Sequence, residues 1–180
     1  ISGTISIPTG LSVRPTVKLY SVIGGVETLI QTITVTSTGT FTLNPNQYNT
    51  TYKIVPSFSP LLTSTDLTNL LDEAKNVSVP PVLSPGLVLN TPQKMMAGDI
   101  NNDGQVYIDD AYLLATNLSG MIPFNTIFWF TNSDYSTITM SNFKTITRST
   151  YFTINFTTSS VVLNLKYVVL GDTDLSSSSQ

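Results

Sequence analysis

The sequence has no cysteine and no histidine. Disulfides are excluded. With histidine go the commonest general base and the usual nitrogen ligand for zinc. Charge is scarce: only 11 % of residues are Asp, Glu, Lys or Arg, about half the usual share. Ser, Thr and Asn must therefore make the polar surface. The eight basic residues are scattered singly against 11 acidic ones, for a net charge of -3, so there is no basic footprint for nucleic acid or an anionic membrane. No apolar run is long enough to span a bilayer. Val161–Leu170 comes nearest, and Asn164 and Lys166 break it. The glutamates are Glu27 and Glu73 alone, both expected on surface turns or helix faces. No nucleophile–base pair is visible, so a carboxylate-driven enzyme is the least supported class.

What is present points to β structure. The 180 residues are 41 % hydrophobic, enough for a substantial core, and threonine and aromatic residues favour strands. Strands are predicted at Ile1–Ile7, Thr16–Tyr20, Thr28–Thr36, Thr40–Leu43 and Thr50–Val55, with Gly, Pro and Asn turns between them. Short strands about ten residues apart read as a β-sandwich. Two stretches have helical periodicity instead: Leu67, Leu70, Leu71 and Ala74, with Thr65 as N-cap, and Ala111, Leu114, Ala115 and Leu118, with Gly120 closing. Pro80-Pro81 and Pro85-Gly86 break the chain between them. Strands return at Ile127–Phe130, Tyr151–Phe156 and Val161–Leu170, the last with Leu163, Leu165, Tyr167 and Val169 on one face. Ile127–Trp129 is expected in the core rather than in a binding patch. The fold class is thus mainly β with a small helical insert. The chain divides into a sandwich at 1–60, a helical module at 61–122, C-terminal strands at 123–176 that pack on or complete a sheet, and a frayed tail at 177–180.

One stretch names a ligand. From Asp99 to Asp110, oxygen side chains stand at loop positions 1, 3, 5 and 12 as Asp99, Asn101, Asp103 and Asp110. Gly104 takes the sharp turn at position 6, and Gln105 offers its backbone carbonyl at position 7. A hard cation such as calcium takes six to eight oxygens, and a twelve-residue loop of this spacing supplies them. Val106 at position 8 would tie the loop to a neighbour. An Asn/Asp/Gly-rich surface turn is the plainer alternative. Asp172, Asp174 and Ser176 repeat the opening spacing without the glycine, and would hold a second ion or cap a strand.

The two helical faces share a spacing offset by 44 residues, which lays Asp66 on Asp110. By that alignment 55–76 is a degenerate copy of the loop–helix unit, with Val55, Ser57 and Ser59 in place of Asp99, Asn101 and Asp103. That copy is expected to bind no calcium and to persist for its helix; two unrelated amphipathic helices are the alternative. N-x-Ser/Thr triplets begin at Asn49, Asn76, Asn117 and Asn155, which are candidate glycosylation sites.

These motifs carry a resemblance. Ile1-Ser2-Gly3-Thr4-Ile5-Ser6, Val17-Lys18-Leu19-Tyr20, Gly39-Thr40-Phe41 and Tyr52-Lys53-Ile54 resemble a CnaB-like or carboxypeptidase-regulatory-like β-sandwich. Gly98-Asp99-Ile100-Asn101-Asn102-Asp103-Gly104 and Ile108-Asp109-Asp110-Ala111-Tyr112-Leu113-Leu114 resemble a dockerin type I-like module. Such pairs are similar to segments of secreted surface proteins of Bacteroidota-type bacteria, where a stretch like Phe128-Trp129-Phe130 follows and one like Leu170-Gly171-Asp172-Thr173-Asp174 closes the unit. The resemblance implies an immunoglobulin-like sandwich, calcium and an extracellular, cell-surface location. It departs from a cohesin-binding dockerin in having one intact loop, with Tyr107 at position 9. The expectation is therefore a calcium-stabilised structural or adhesive module. It would be a glycoprotein that contacts glycans or another surface protein, or the subunit of a filament joined through its terminal strands. A docking module with a cohesin-like partner is the alternative.

Overall fold

The computed structural model describes residues 1–8, 13–77, 89–122, 126–157, 160–176 and 178, without the side chains of 75–77. The chain is mainly β, in two four-stranded sheets with four short helices among the described residues. One sheet has the order β3 (Val26–Thr34), β2 (Thr16–Ile23), β5 (Thr50–Ser57), β7 (Phe152–Phe156). The other runs β4 (Thr40–Thr42), β1 (Ser2–Ile5), β8 (Val162–Val169), β6 (Ile127–Thr131). Neither is complete within 1–60, because β7 joins the first sheet and β6 and β8 the second. The sheets share one core: Val17, Leu19, Tyr52 and Ile54 from the first meet Ile5, Phe41, Leu165 and Tyr167 from the second. The period-two alternation of these strands turns one side chain in two inward. Trp129 is buried there, with the Phe58 and Tyr167 rings against it.

β8 is the pivot of the architecture. Leu165, Tyr167 and Val169 face the inter-sheet core, whereas Val168 and Leu170 face a second core beneath the helices. A strand covered on both sides must lose its polar alternation, and Tyr167–Leu170 does so. The second core is roofed by α1 (Ser64–Val77), α2 (Pro92–Gly98) and α3 (Ile108–Leu118), which contribute Leu70, Met96 and Leu114, and by Phe130 and Phe143. α1 packs against α3. The α1 start differs from expectation: Thr65 lies inside the first turn, and Asp66 accepts the Thr63 amide at 2.8 Å. The Pro80–Gly86 break and the Asn76 side chain lie outside the described residues. No described helix is long and apolar enough to cross a membrane.

Two further expectations concern the tail and the terminal strands. Of the tail at 177–180, residue 178 alone is described, and the buried Ser178 hydroxyl accepts the Val169 amide at 2.9 Å. Of the terminal strands expected to serve self-association, β1 lies between β4 and β8, and β8 pairs with β1 over 162–165 and with β6 over 165–169. β1 also depends on Gly3, where a Cβ would collide with the Leu163 carbonyl and the Phe41 ring. Gly3→Ala should cost about 1–3 kcal/mol, measured as a lowered urea midpoint at unchanged slope.

Candidate metal centre

The Asp99 loop is framed by α2 and α3. Thr91 caps α2 by accepting the Lys94 amide at 3.2 Å, with Pro92 in the first turn, and Asp99 is the residue that ends it. Asp110 lies in the first turn of α3 and closes the loop. Its Oδ1 accepts the amides of Ile100 at 2.8 Å and Asn101 at 3.1 Å, and its Oδ2 accepts that of Tyr107 at 2.9 Å. Asn101 Oδ1 accepts the Asp103 amide at 2.9 Å, and Asp103 Oδ1 that of Gln105 at 2.8 Å. Gly104 has φ +84° and donates to both oxygens of Asp99, at 3.3 and 3.2 Å. A side chain there would be strained. Val106 is buried in the helical core. The Tyr107 hydroxyl bonds the Gln105 side chain, which leaves Gln105 its carbonyl as the oxygen to offer.

Two residues that the loop pattern did not indicate touch this site. Asp109 Oδ2 accepts from Asn101 Nδ2 at 2.9 Å. Arg148, 7 % exposed, donates from Nη2 to the fully buried Asp99 Oδ2 at 2.8 Å. Its charge offsets part of the field a cation would feel. No local spacing announces it, because it lies 49 residues downstream.

The three-carboxylate cluster is elsewhere. Among the described residues, the one set whose oxygens all approach within 4.8 Å is Asp66, Asp172 and Asp174. Asp172 and Asp174 were expected to meet as Asp172, Asp174 and Ser176. The third carboxylate is instead Asp66; Ser176 is exposed and its hydroxyl lies 3.4 Å from Asp172 Oδ1. Val55 and Ser57, which the 44-residue offset assigned to Asp66, belong to β5.

Asp66 closes this second loop in the way Asp110 closes the first. Its Oδ1 accepts the amides of Thr173 at 2.8 Å and Asp174 at 3.3 Å, the positions that correspond to Ile100 and Asn101. Its Oδ2 accepts the amide three residues back, from Thr63, as Asp110 does from Tyr107. Asp174 Oδ1 accepts the Ser176 amide at 2.8 Å, matching Asn101 and Asp103. Position 4 has positive φ in both: Asn102 at 62° and Leu175 at 61°. The left-handed region is costly for leucine, so the loop geometry overrides local preference. The two openings also touch, the Gly171 amide donating to the Ala97 carbonyl at 2.7 Å. The helical module is thus a duplicated loop–helix unit whose second copy is split, its helix before the first loop and its loop opening after β8.

Both sites disfavour bare charge. Burial, opposed by backbone amides, pushes Asp110 up to about 6. Burial first, then the Asp66 and Asp174 charges, push Asp172 up to about 7 against the Ser178 hydrogen bond. The converging carboxylates of Asp66, Asp172 and Asp174 are an oxygen donor set that fits a hard cation, whereas Asp99, Asp103 and Asp110 do not converge in that way. Among the described residues that set offers no nitrogen or sulfur ligand, the softer donors that zinc and copper favour.

The candidate glycosylation residues fall on the surface unevenly. Asn49 and Asn155 are exposed, Asn155 Oδ1 accepting from Thr51. Asn117 is half-buried and donates to the Ile122 carbonyl at 3.4 Å. Compared with protein-family models, with curated proteins and with solved structures, the chain matches none.

Proposed function

We propose that this chain is a non-enzymatic, extracellular structural or adhesive module whose helical layer is clamped onto its β framework by calcium. The observation that carries this reading is the duplicate closure, Asp110 over residues 100–101 and Asp66 over residues 173–174, each pair of amides donating to one oxygen, Oδ1, of the closing carboxylate. In the first site Asp99, Asn101, Asp103, the Gln105 carbonyl and Asp110 would hold the ion. In the second, Asp172, Asp174 and Asp66 would. A bound ion supplies charge neutralisation and fixes the loop; it takes part in no reaction. The second ion would join the segment after β5 to the segment after β8, so the clamp ties both ends of the β framework to α1.

The mechanism is linkage: an ion that binds the ordered loops and not the unfolded chain stabilises by about 2.7 kcal/mol per site at a hundredfold excess over Kd. Thermal unfolding in calcium against chelator should therefore differ by roughly 5–10 °C per occupied site. Asp103→Ala should remove one site's share and Asp172→Asn the other's, while Ser59→Ala changes neither. Equal midpoints in calcium and chelator would sink the proposal. A cohesin-like docking partner is the second reading, favoured by the two-loop pseudo-symmetry and by Ile108 and Tyr112, exposed on α3. Capture of a surface protein that chelator abolishes would support it.

A further inference from the structure

An open groove lies at one end of the paired sheets, away from both carboxylate sites in its lining. It has a volume of about 330 Å³, and Thr42, Asn44, Asn46, Gln47, Tyr48 and Phe156 are among the residues around it. Tyr48 is 65 % exposed. Its ring stacks on that of buried Phe156, with centroids 5.3 Å apart and planes 17° from parallel, so one face is held by the protein and the other meets solvent. The turn that carries it is fixed from below. The hydroxyl of buried Tyr52 accepts the Gln47 amide at 2.9 Å and donates to Asn46 Oδ1 at 2.9 Å. Asn49 follows with φ 55° and donates its amide to the Phe156 carbonyl at 2.8 Å.

An exposed aromatic ring held in one orientation is preorganised contact area, since a ligand would not have to order it. Asn46 spends its Oδ1 on Tyr52 and keeps its Nδ2 donors. Asn44 and Gln47 are exposed and add further amide donors and acceptors. No Asp, Glu, Lys or Arg side chain lines the groove. An anion would meet no basic side chain there, and a cation no carboxylate. One chemical class has both an apolar C–H face for the ring and a rim of hydroxyls for the amides. We infer that this groove binds a neutral carbohydrate, with Tyr48 as the stacking platform and Asn44, Asn46 and Gln47 as the groups that read the hydroxyls. The inference stands apart from the calcium reading and uses none of its residues.

The test is a titration of the isotopically labelled, unglycosylated chain, followed by two-dimensional NMR. The probes are neutral gluco-, manno-, galacto- and xylo-oligosaccharides at millimolar concentration, with a proline-rich peptide as the competing class. At least one sugar should shift the amides of 44–48 and 156. Tyr48→Ala should weaken that binding about tenfold or more, in line with the worth of a lost ring contact. Tyr48→Phe should retain it, and Gln47→Ala should weaken it without moving the unfolding midpoint. Asp103→Ala should leave it unchanged. The inference is overturned if no sugar shifts these amides, if the shifts survive Tyr48→Ala, or if only the peptide binds.

Discussion

Asp66→Ala is expected to be the most damaging single substitution in the helical module, lowering the midpoint by about 10 °C or more. Asp66 is fully buried and accepts the amides of Thr63, Thr173 and Asp174. It also accepts from the Thr63 hydroxyl at 3.0 Å. Alanine would strand the buried Thr173 amide, at about 1–3 kcal/mol for an unsatisfied interior donor, and the half-buried amides of Thr63 and Asp174, at about 1 kcal/mol each because water can reach them. It would also part α1 from the segment after β8, two stretches joined here across 107 residues of sequence. The total, about 3–5 kcal/mol, converts to the stated shift at about 2–4 °C per kcal/mol for a chain of this size. Asp66→Asn separates the structural from the ionic role. The amide oxygen can still accept from Thr173, so the chelated protein should lose only about 1–2 kcal/mol. Its charge is gone, so the second site's share of the calcium-induced shift should vanish while the Asp99 loop's remains. If Asp66→Asn keeps the full calcium response, the second site is not a cation site.

Asp66 also marks where the sequence stops being readable. The β elements were legible because their signal is local. Val17 and Leu19, or Leu165 and Tyr167, alternate within a few residues, and the same alternation decides which face is buried. The first loop was legible for the same reason, with every ligand position inside twelve residues. A simple sequence repeat keeps its parts in the same order, which would place Val55, Ser57 and Ser59 at the opening of the loop that Asp66 closes. The fold instead takes the opening of the second loop from residues beyond β8. The spacing Gly171-Asp172-Thr173-Asp174 was visible as a copy of Gly98-Asp99-Ile100-Asn101, and Asp66 as a copy of Asp110. What joins them is the parallel placement of β8 beside β1 and the packing of α1 on α3. That is a tertiary fact with no local trace. Arg148 on Asp99 was hidden likewise. α2 was not: Thr91-Pro92 is an N-cap followed by proline in the first turn, a start signal that its short length obscured.

The pH dependence should disappear with calcium. In the folded chain Asp172 takes its proton near 7 and Asp110 near 6, whereas an unfolded aspartate does so near 3.9. Between about pH 4 and 7 the folded chain therefore holds more protons than the unfolded one, and stability falls as pH rises through that window. The loss is complete above the folded values and absent below about 4. Asp172 accounts for most of it, on the order of a few kcal/mol. Asp110 adds less, because three backbone amides already face its carboxylate. In chelator the unfolding midpoint should be higher at pH 5 than at pH 8. Calcium would bind the ionised carboxylates and displace those protons, so its affinity would rise over the same window. In saturating calcium that gain cancels the loss, because the ion-bound fold and the unfolded chain both carry these carboxylates ionised, and the midpoint should change little between pH 5 and 8. Asp172→Asn should flatten the chelated profile, because the group that protonates on folding is gone, and should leave the Asp99 loop to give the remaining calcium response. Profiles of the same slope with and without calcium would mean that proton and ion do not share these carboxylates.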